Sequence, residues 1–289
     1  MRLRSLQQKM HEMHASGSYV EARDLAEECR TIALGLFGPD HPVSASSVNN
    51  LALMYKALGE TGRATKYYRE ALGLYRRSVG QVHRSTATVA CNLALLLRDS
   101  AIRGGGSDAE LADPPPADGS SDAAAALDEA RSLLEGAVET RSQVLGERHP
   151  EVSLAISQLA TVLRARGDHN AASELLERAV ESLDASYFAA QAVHGDAAKV
   201  TSRLASLLAS ALNSLGLLRK QQERHVEAEP LYARASALYD CAAGASSPDA
   251  IVCRHNLAEL AMVRGDEAGA QAIQKDILRR VEAVGAATT

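Results

Sequence analysis

Two rows of polar side chains recur along this 289-residue sequence, and they are the residues best equipped to do chemistry on another molecule. The first row reads Gln8, Asn50, Asn92, Gln158, Ser214 and Asn256. An amide offers donors and an acceptor together, which suits a polypeptide backbone without demanding one side-chain sequence. The same amides could instead hydrogen-bond to neighbouring parts of their own chain, so the row supports either reading. Six residues after each member stands His14, Lys56, Arg98, Arg164, Lys220 or Met262. Four consecutive cations favour a negatively charged partner through Coulomb attraction and charge-assisted hydrogen bonds. They would equally complement the carbonyl end of a helix, where a cation contributes roughly 0.3 to 1 kcal/mol.

Bond-making chemistry has less to work with. His11 and His14, three residues apart, could touch one metal ion, but no third ligand is spaced to join them. His41, His83 and His149 recur before a proline or a helix start, where they read as turn and capping residues. Cys29, Cys91, Cys241 and Cys253 lack CxxC spacing, and each falls inside a helical pattern, which predicts buried thiols in a reducing compartment. There is no GxSxG, P-loop or HExxH. The expectation is a non-enzymatic protein with no catalytic residue, no metal and no cofactor.

Charge and hydropathy narrow the partners. Thirty-one basic against 36 acidic residues leave a net charge of -5, so no global field draws the chain to nucleic acid or an anionic membrane. No run of about 18 apolar residues exists to span a bilayer. The opening "MRLRSLQQKMHEM" has no apolar core and no small-residue cleavage site, so it does not read as a secretory signal. Its lack of acids before Glu12 suits a mitochondrial presequence, but the stretch aligns with a repeat helix described next. The expected location is the cytoplasm, with an organelle matrix as the alternative.

The elements that position these rows follow from periodicity. Hydrophobic residues make up 46% of the chain, while only eight Tyr and two Phe are aromatic and Trp is absent. Abundant Ala and Leu favour close-packed helices over a sheet core. His41 to His83, Gly17 to Gly59 and Ala22 to Ala64 are all steps of 42 residues. Leu51, Leu93, Leu159, Leu215 and Leu257 align in the first helix of each unit, each followed by Ala52, Ala94, Ala160, Gly216 or Ala258. The second helix aligns Leu25, Tyr67, Leu133, Leu175, Leu231 and Ile273. A single hairpin cannot bury its own apolar face, so the units must stack. Six units begin near Met1, Pro42, Arg84, Pro150, Asp196 and Pro248. Lys9 and Gln8 give the first helix the polar character of a terminal cap, whereas the last unit has no obvious extra capping helix.

Two steps exceed 42, by 24 and by 14 residues. The 24 lie in "RDSAIRGGGSDAELADPPPADGSSDAAAALDEA", whose Gly, Pro and Asp predict a disordered loop over residues 101–122 inside the third unit, accessible enough to carry a docking motif. The 14 lie between Leu183 and Asn213, where Ala197 to Leu215 reads as one long helix. Fourteen residues are close to four turns at about 3.6 per turn, so the inward face is preserved and the helices should project beyond the stack. Residues 285–289 read as a flexible tail, and the rest as one solenoid domain over 1–289.

The segments "NNLALMYKALGETGRATKYYREALGLYRRSVG", "LGERHPEVSLAISQLATVL" and "LNSLGLLRKQQERHVEAEPLYARA" closely resemble the 42-residue tetratricopeptide repeats of kinesin light chains. The resemblance covers nearly the whole chain apart from the loop and the tail. It implies an all-α, right-handed superhelical solenoid of about six units, whose first helices line a concave groove that holds a peptide. On that implication Asn50, Asn92, Gln158, Asn256, Lys56, Arg98, Arg164 and Lys220 would contact a protein partner with an acidic segment, making the chain a scaffold or adaptor. A structural subunit or assembly factor of a larger complex is the alternative. Kinesin binding is not implied, because the heptad coiled coil that joins light chains to the heavy chain is missing from these residues. The Lys/Asn carboxylate clamp of another tetratricopeptide subclass is not matched either, since Asn49, Leu53, Cys91 and Leu95 fill its columns. One departure is Arg219, in the column of Tyr55, which is expected to disturb packing in the fifth unit.

Overall fold

The computed structural model describes residues 2–103, 119–195, 198–244 and 247–287. Among these residues the chain is entirely α-helical, in twelve helices. They are α1 (Arg2–Ala15), α2 (Tyr19–Phe37), α3 (Pro42–Ala57), α4 (Thr61–Ser78), α5 (Arg84–Ile102) and α6 (Gly119–Leu145), then α7 (Pro150–Arg166), α8 (His169–His194), α9 (Lys199–Gln221), α10 (His225–Ala243), α11 (Pro248–Val263) and α12 (Glu267–Ala287). Odd-numbered helices open the six predicted units and even-numbered helices close them. The helices divide into two compact units, Met1–Glu147 and Arg148–Thr289. In each, every helix packs on its neighbours in sequence, and in the second α7 also touches α9 and α9 touches α11. This is the repeated helix-pair stacking of a solenoid.

Small residues set the closeness of that stacking. Ala22, Ala64, Ala130, Ala172, Ala228 and Ala270 stand at one position of the even helices, and each is fully buried. Four residues after the Leu25/Tyr67 column come Cys29, Ala71, Ala137, Ala179, Ala235 and Ile277, all buried as well. In the odd helices Ala52, Ala94 and Ala160 are likewise fully buried. Enlarging any of these would force helices apart, at a typical cost of about 1–3 kcal/mol. The first helix keeps Met10 in the core while Gln8 and Lys9 face solvent, as a terminal helix should.

Turns repeat as faithfully as cores. After α3, Gly59 adopts φ 80° and donates its N–H to the Lys56 carbonyl, while Glu60 donates to that of Tyr55. After α9 the same pair of bonds forms from Glu223 and Arg224, with Glu223 held at φ 60°. A side chain in that left-handed region costs roughly 1–2 kcal/mol, which a glycine would not incur.

The lengthened region behaves as its residue count predicts. α8 runs for 26 residues and α9 for 23, against 16 in α3 and α11. Their added turns share a core of Leu183, Tyr187, Leu204, Ala205 and Leu208 with Leu238 and Tyr239 of α10. Of the stretch 101–122, Ala101 and Ile102 belong to α5 and Gly119 to Asp122 to α6. The remainder of that loop prediction, over residues 104–118, lies outside the described residues, as do Thr288 and Thr289 of the predicted tail.

Candidate functional site

The odd helices present the polar rows, and their starts are fixed by their own side chains. His41 Nδ1 accepts the N–H of Val43 at 3.1 Å, His83 Nδ1 that of Ser85 at 3.1 Å, and His149 Nδ1 that of Glu151 at 3.2 Å. The predicted capping role of the three histidines is therefore observed. Ser247 does the same for α11 through the N–H of Ala250 at 3.2 Å. Ala198 stands before α9 and has no side chain able to cap it. Behind two of these caps, Ser44 Oγ donates to the Gly38 carbonyl at 2.6 Å and Thr86 Oγ1 to the Gly80 carbonyl at 2.8 Å. Cap and back-bond together fix where α3 and α5 begin, and hence where their later residues point.

The amide row is half-buried at Asn50, Asn92, Gln158 and Asn256. Its members differ in what they touch. Asn256 Nδ2 donates to Asn213 Oδ1 of α9 at 2.8 Å, so here the row ties one helix pair to the next. Gln8 donates to Glu12 within α1 at 3.0 Å. Gln158 Oε1 is buried and accepts no hydrogen bond among the described residues, and Asn49 Oδ1, one position before the row, is in the same state.

The cation row is partly neutralised from within. Lys220 Nζ donates to Glu259 of α11 at 2.5 Å, and Arg98 bonds the adjacent Asp99, also at 2.5 Å. Arg164 interacts electrostatically with the region of Tyr232. Lys56 forms no ion pair among the described residues. Lys56 and Arg98 lie in the first compact unit, Arg164 and Lys220 in the second. Asn213, Asp99 and Glu259 are thus site neighbours that the sequence reading missed. Glu259 precedes Met262 of the cation row by three residues, close to one helical turn, which is the signal that could have found it.

Arg219 corrects an expectation. It is buried, yet its guanidinium is fully engaged: to Glu177 and, at 2.6 Å, to Ser173 Oγ of α8, to Gln222 at 3.0 Å, and to Glu227 of α10 at 3.3 Å. In the second helix pair, Tyr55 Oη donates to Glu27 of α2 at 2.6 Å. Glu27 and Glu177 occupy one repeat position, two residues after Leu25 and Leu175. Arginine therefore repeats the tyrosine's donation to the preceding helix instead of disturbing it. Tyr55 is further fixed by a stack on Tyr67, with ring centroids 5.3 Å apart. Burial, reinforced by the bond to Glu27, pushes its hydroxyl pKa up to about 12.

Gly216 breaks the alanine column for a visible reason. A Cβ there would lie 2.8 Å from Cε1 of Tyr232, whose ring is fully buried against it. Among the described residues no cluster of three His, Cys, Asp or Glu side chains is placed to hold a metal, and no helix is long and apolar enough to cross a membrane.

The comparisons with known proteins bear on this architecture. A tetratricopeptide repeat family model matches residues 10–77 and 125–185. No curated protein sequence matches the chain. Among solved structures, BtubC (BKLC) from P. vanneervenii is 20% identical, covering 96% of this chain and 92% of its own, with a TM-score of 0.61. The nearly identical TPR-like repeats of a kinesin light chain-like protein from Podosopora anserina are 21% identical over 83% of this chain and 95% of theirs, with a TM-score of 0.58. TTC0263, a thermophilic TPR protein of Thermus thermophilus, is 18% identical over 90% of this chain and 99% of its own, with a TM-score of 0.55. With the repeat model matched over residues 10–77 and 125–185 and the helix pairs in phase, the chain carries tetratricopeptide repeats and shares the helical-repeat fold of these structures.

Proposed function

We propose that the protein is a non-enzymatic scaffold or adaptor that binds segments of other proteins along its odd-numbered helices, preferring acidic ones. The observation that carries this reading is the half-buried amide at Asn50, Asn92, Gln158 and Asn256, followed six residues later in three of these helices by Lys56, Arg98 or Arg164. Lys220 supplies the same cation on α9. Half-burial leaves part of each side chain within reach of a partner, and many modest contacts on a preformed surface require little reorganisation. The net charge of -5 argues for protein over nucleic acid as the partner, and the four free cysteines fit a reducing compartment, the cytoplasm or an organelle matrix. Replacing Lys56, Arg98 and Arg164 together by Glu should release protein partners in a pull-down while leaving the helical circular dichroism intact. Partners retained at wild-type level would refute the reading.

A structural role in a larger complex is the second reading, and the long helices favour it. Phe188 and Val193 near the end of α8 are 55% and 75% exposed, and Val200 at the start of α9 is 45% exposed. Exposed apolar side chains at the ends of two long helices suit a protein contact. This reading predicts hydrogen-exchange protection of 187–204 in the assembled state, with the triple variant still incorporated.

A further inference from the structure

We propose that the groove between α4 and α6, over α5, docks a partner polypeptide that brings an aspartate or glutamate side chain to Arg76. The groove holds a cavity of about 250 Å³, lined by Leu72, Arg76, Thr86, Ser132, Gly136 and Thr140. Leu72 and Arg76 come from α4, Thr86 from α5 and Ser132, Gly136 and Thr140 from α6, and none of the amide or cation row is among them.

Equivalent grooves show what is missing from it. Gly136 occupies the repeat position of Glu70 in α4, Arg234 in α10 and Asp276 in α12. Each of those three reaches an oppositely charged side chain on a neighbouring helix: Glu70 meets Arg30 at 3.1 Å, Arg234 meets Asp184, and Asp276 meets Arg254 at 3.5 Å. Arg76 in turn occupies the position of Asp184 in α8 and Asp240 in α10, both of which are paired. Arg234 with Asp184 is the pair that joins these two positions; between α4 and α6 the Asp184 position carries Arg76 instead, and the position opposite it is a glycine.

Two further observations point to a ligand carboxylate. Gly136 sits inside a 27-residue helix, where glycine is disfavoured, and a Cβ there would meet nothing within 4 Å. The space is thus open to another chain. Arg63, Arg69 and Arg77 are each paired, with Glu60, Glu129 and Asp40, whereas the exposed Arg76 forms no ion pair among the described residues. The three helices that line the groove, α4, α5 and α6, carry nine basic and seven acidic residues, so their local balance is basic although the whole chain is negative.

The test uses a random-peptide phage library panned on the full chain and counter-selected on Gly136→Glu, which fills the groove with its own carboxylate. Enriched peptides should share an acidic residue and bind Gly136→Glu and Arg76→Glu at least about tenfold more weakly than wild type. They should bind the Lys56, Arg98, Arg164 triple variant, which leaves Arg76 and Gly136 unchanged, more tightly than Arg76→Glu, which separates this groove from the surface of the proposed scaffold function. Gly136→Glu should melt no lower than wild type, and Arg76→Glu changes an exposed side chain, so unfolding does not mimic the result. Enriched peptides without an acidic residue, or undiminished binding to Arg76→Glu, would overturn the proposal.

Discussion

At Gly216 the absence of one methyl group decides how closely α9 and α10 meet. Alanine is the better helix former by about 1 kcal/mol, yet it would push into the buried Tyr232 ring, where overpacking costs about 1–3 kcal/mol. Gly216→Ala should therefore lower stability in urea unfolding, against the propensity scale. Glu223 presents the reverse case. Its left-handed φ of 60° occurs where Gly17, Gly59, Gly167 and Gly265 sit, so Glu223→Gly should raise stability by up to about 1 kcal/mol once the greater freedom of the unfolded glycine is subtracted. Arg219 makes a third comparison. Arg219→Tyr should retain the bond to Glu177 and cost less than Arg219→Ala, which leaves a cavity, removes the donor to Ser173 and leaves Glu177 with the Ser173 hydroxyl alone.

The start of each odd helix shows what a cap contributes. Histidine serves at three of them and serine at a fourth, leaving α9 with Ala198 and no side-chain acceptor. Ala198→Ser or Ala198→Asp should stabilise by about 0.5–2 kcal/mol, and His83→Ala should lose a similar amount, both measurable by thermal melting. The element scale is also where the sequence is most readable. Fixed steps of 42 between His41 and His83 or Ala22 and Ala64 reveal helix starts and buried columns because backbone geometry repeats with the residue type that it requires. The extra 14 residues before Asn213 announced long helices, since whole turns leave the buried face in register. Side-chain partnerships were less readable. Lys220 with Glu259 and Asn256 with Asn213 join positions 39 and 43 residues apart, and only the stacking angle of neighbouring helices decides which of several nearby residues is reached. Gly119 to Asp122 were hidden for another reason, as their Gly, Ser and Asp composition resembles a loop although they form the first turn of α6.

Across the whole chain, buried acids with raised pKa values make stability depend on alkaline pH. Burial, with Asp249 nearby, pushes the Cys253 thiol from 9.0 up to about 12, and burial pushes the Tyr68 and Tyr239 hydroxyls from 10.0 up to about 12. The folded state holds these protons more tightly than the unfolded state. Their contribution is complete below pH 9 and is lost as pH rises from 9 towards 12. Melting temperature should accordingly be insensitive to these groups between about pH 7 and 9 and fall beyond it. Three of the four thiols, Cys29, Cys91 and Cys253, are buried and one, Cys241, is exposed. A thiol titration of the native protein should count one reactive group, and four after denaturation.

The exchange of Tyr55 for Arg219 against the same glutamate position bears on how such arrays evolve. In these two units the direction of a hydrogen bond, from an odd helix back to the helix before it, is the same, and two chemically unrelated side chains satisfy it. Where the acceptor is kept, as at Glu27 and Glu177, the donor can differ in identity, so two units can lose their likeness at that position without loosening the contact between their helices.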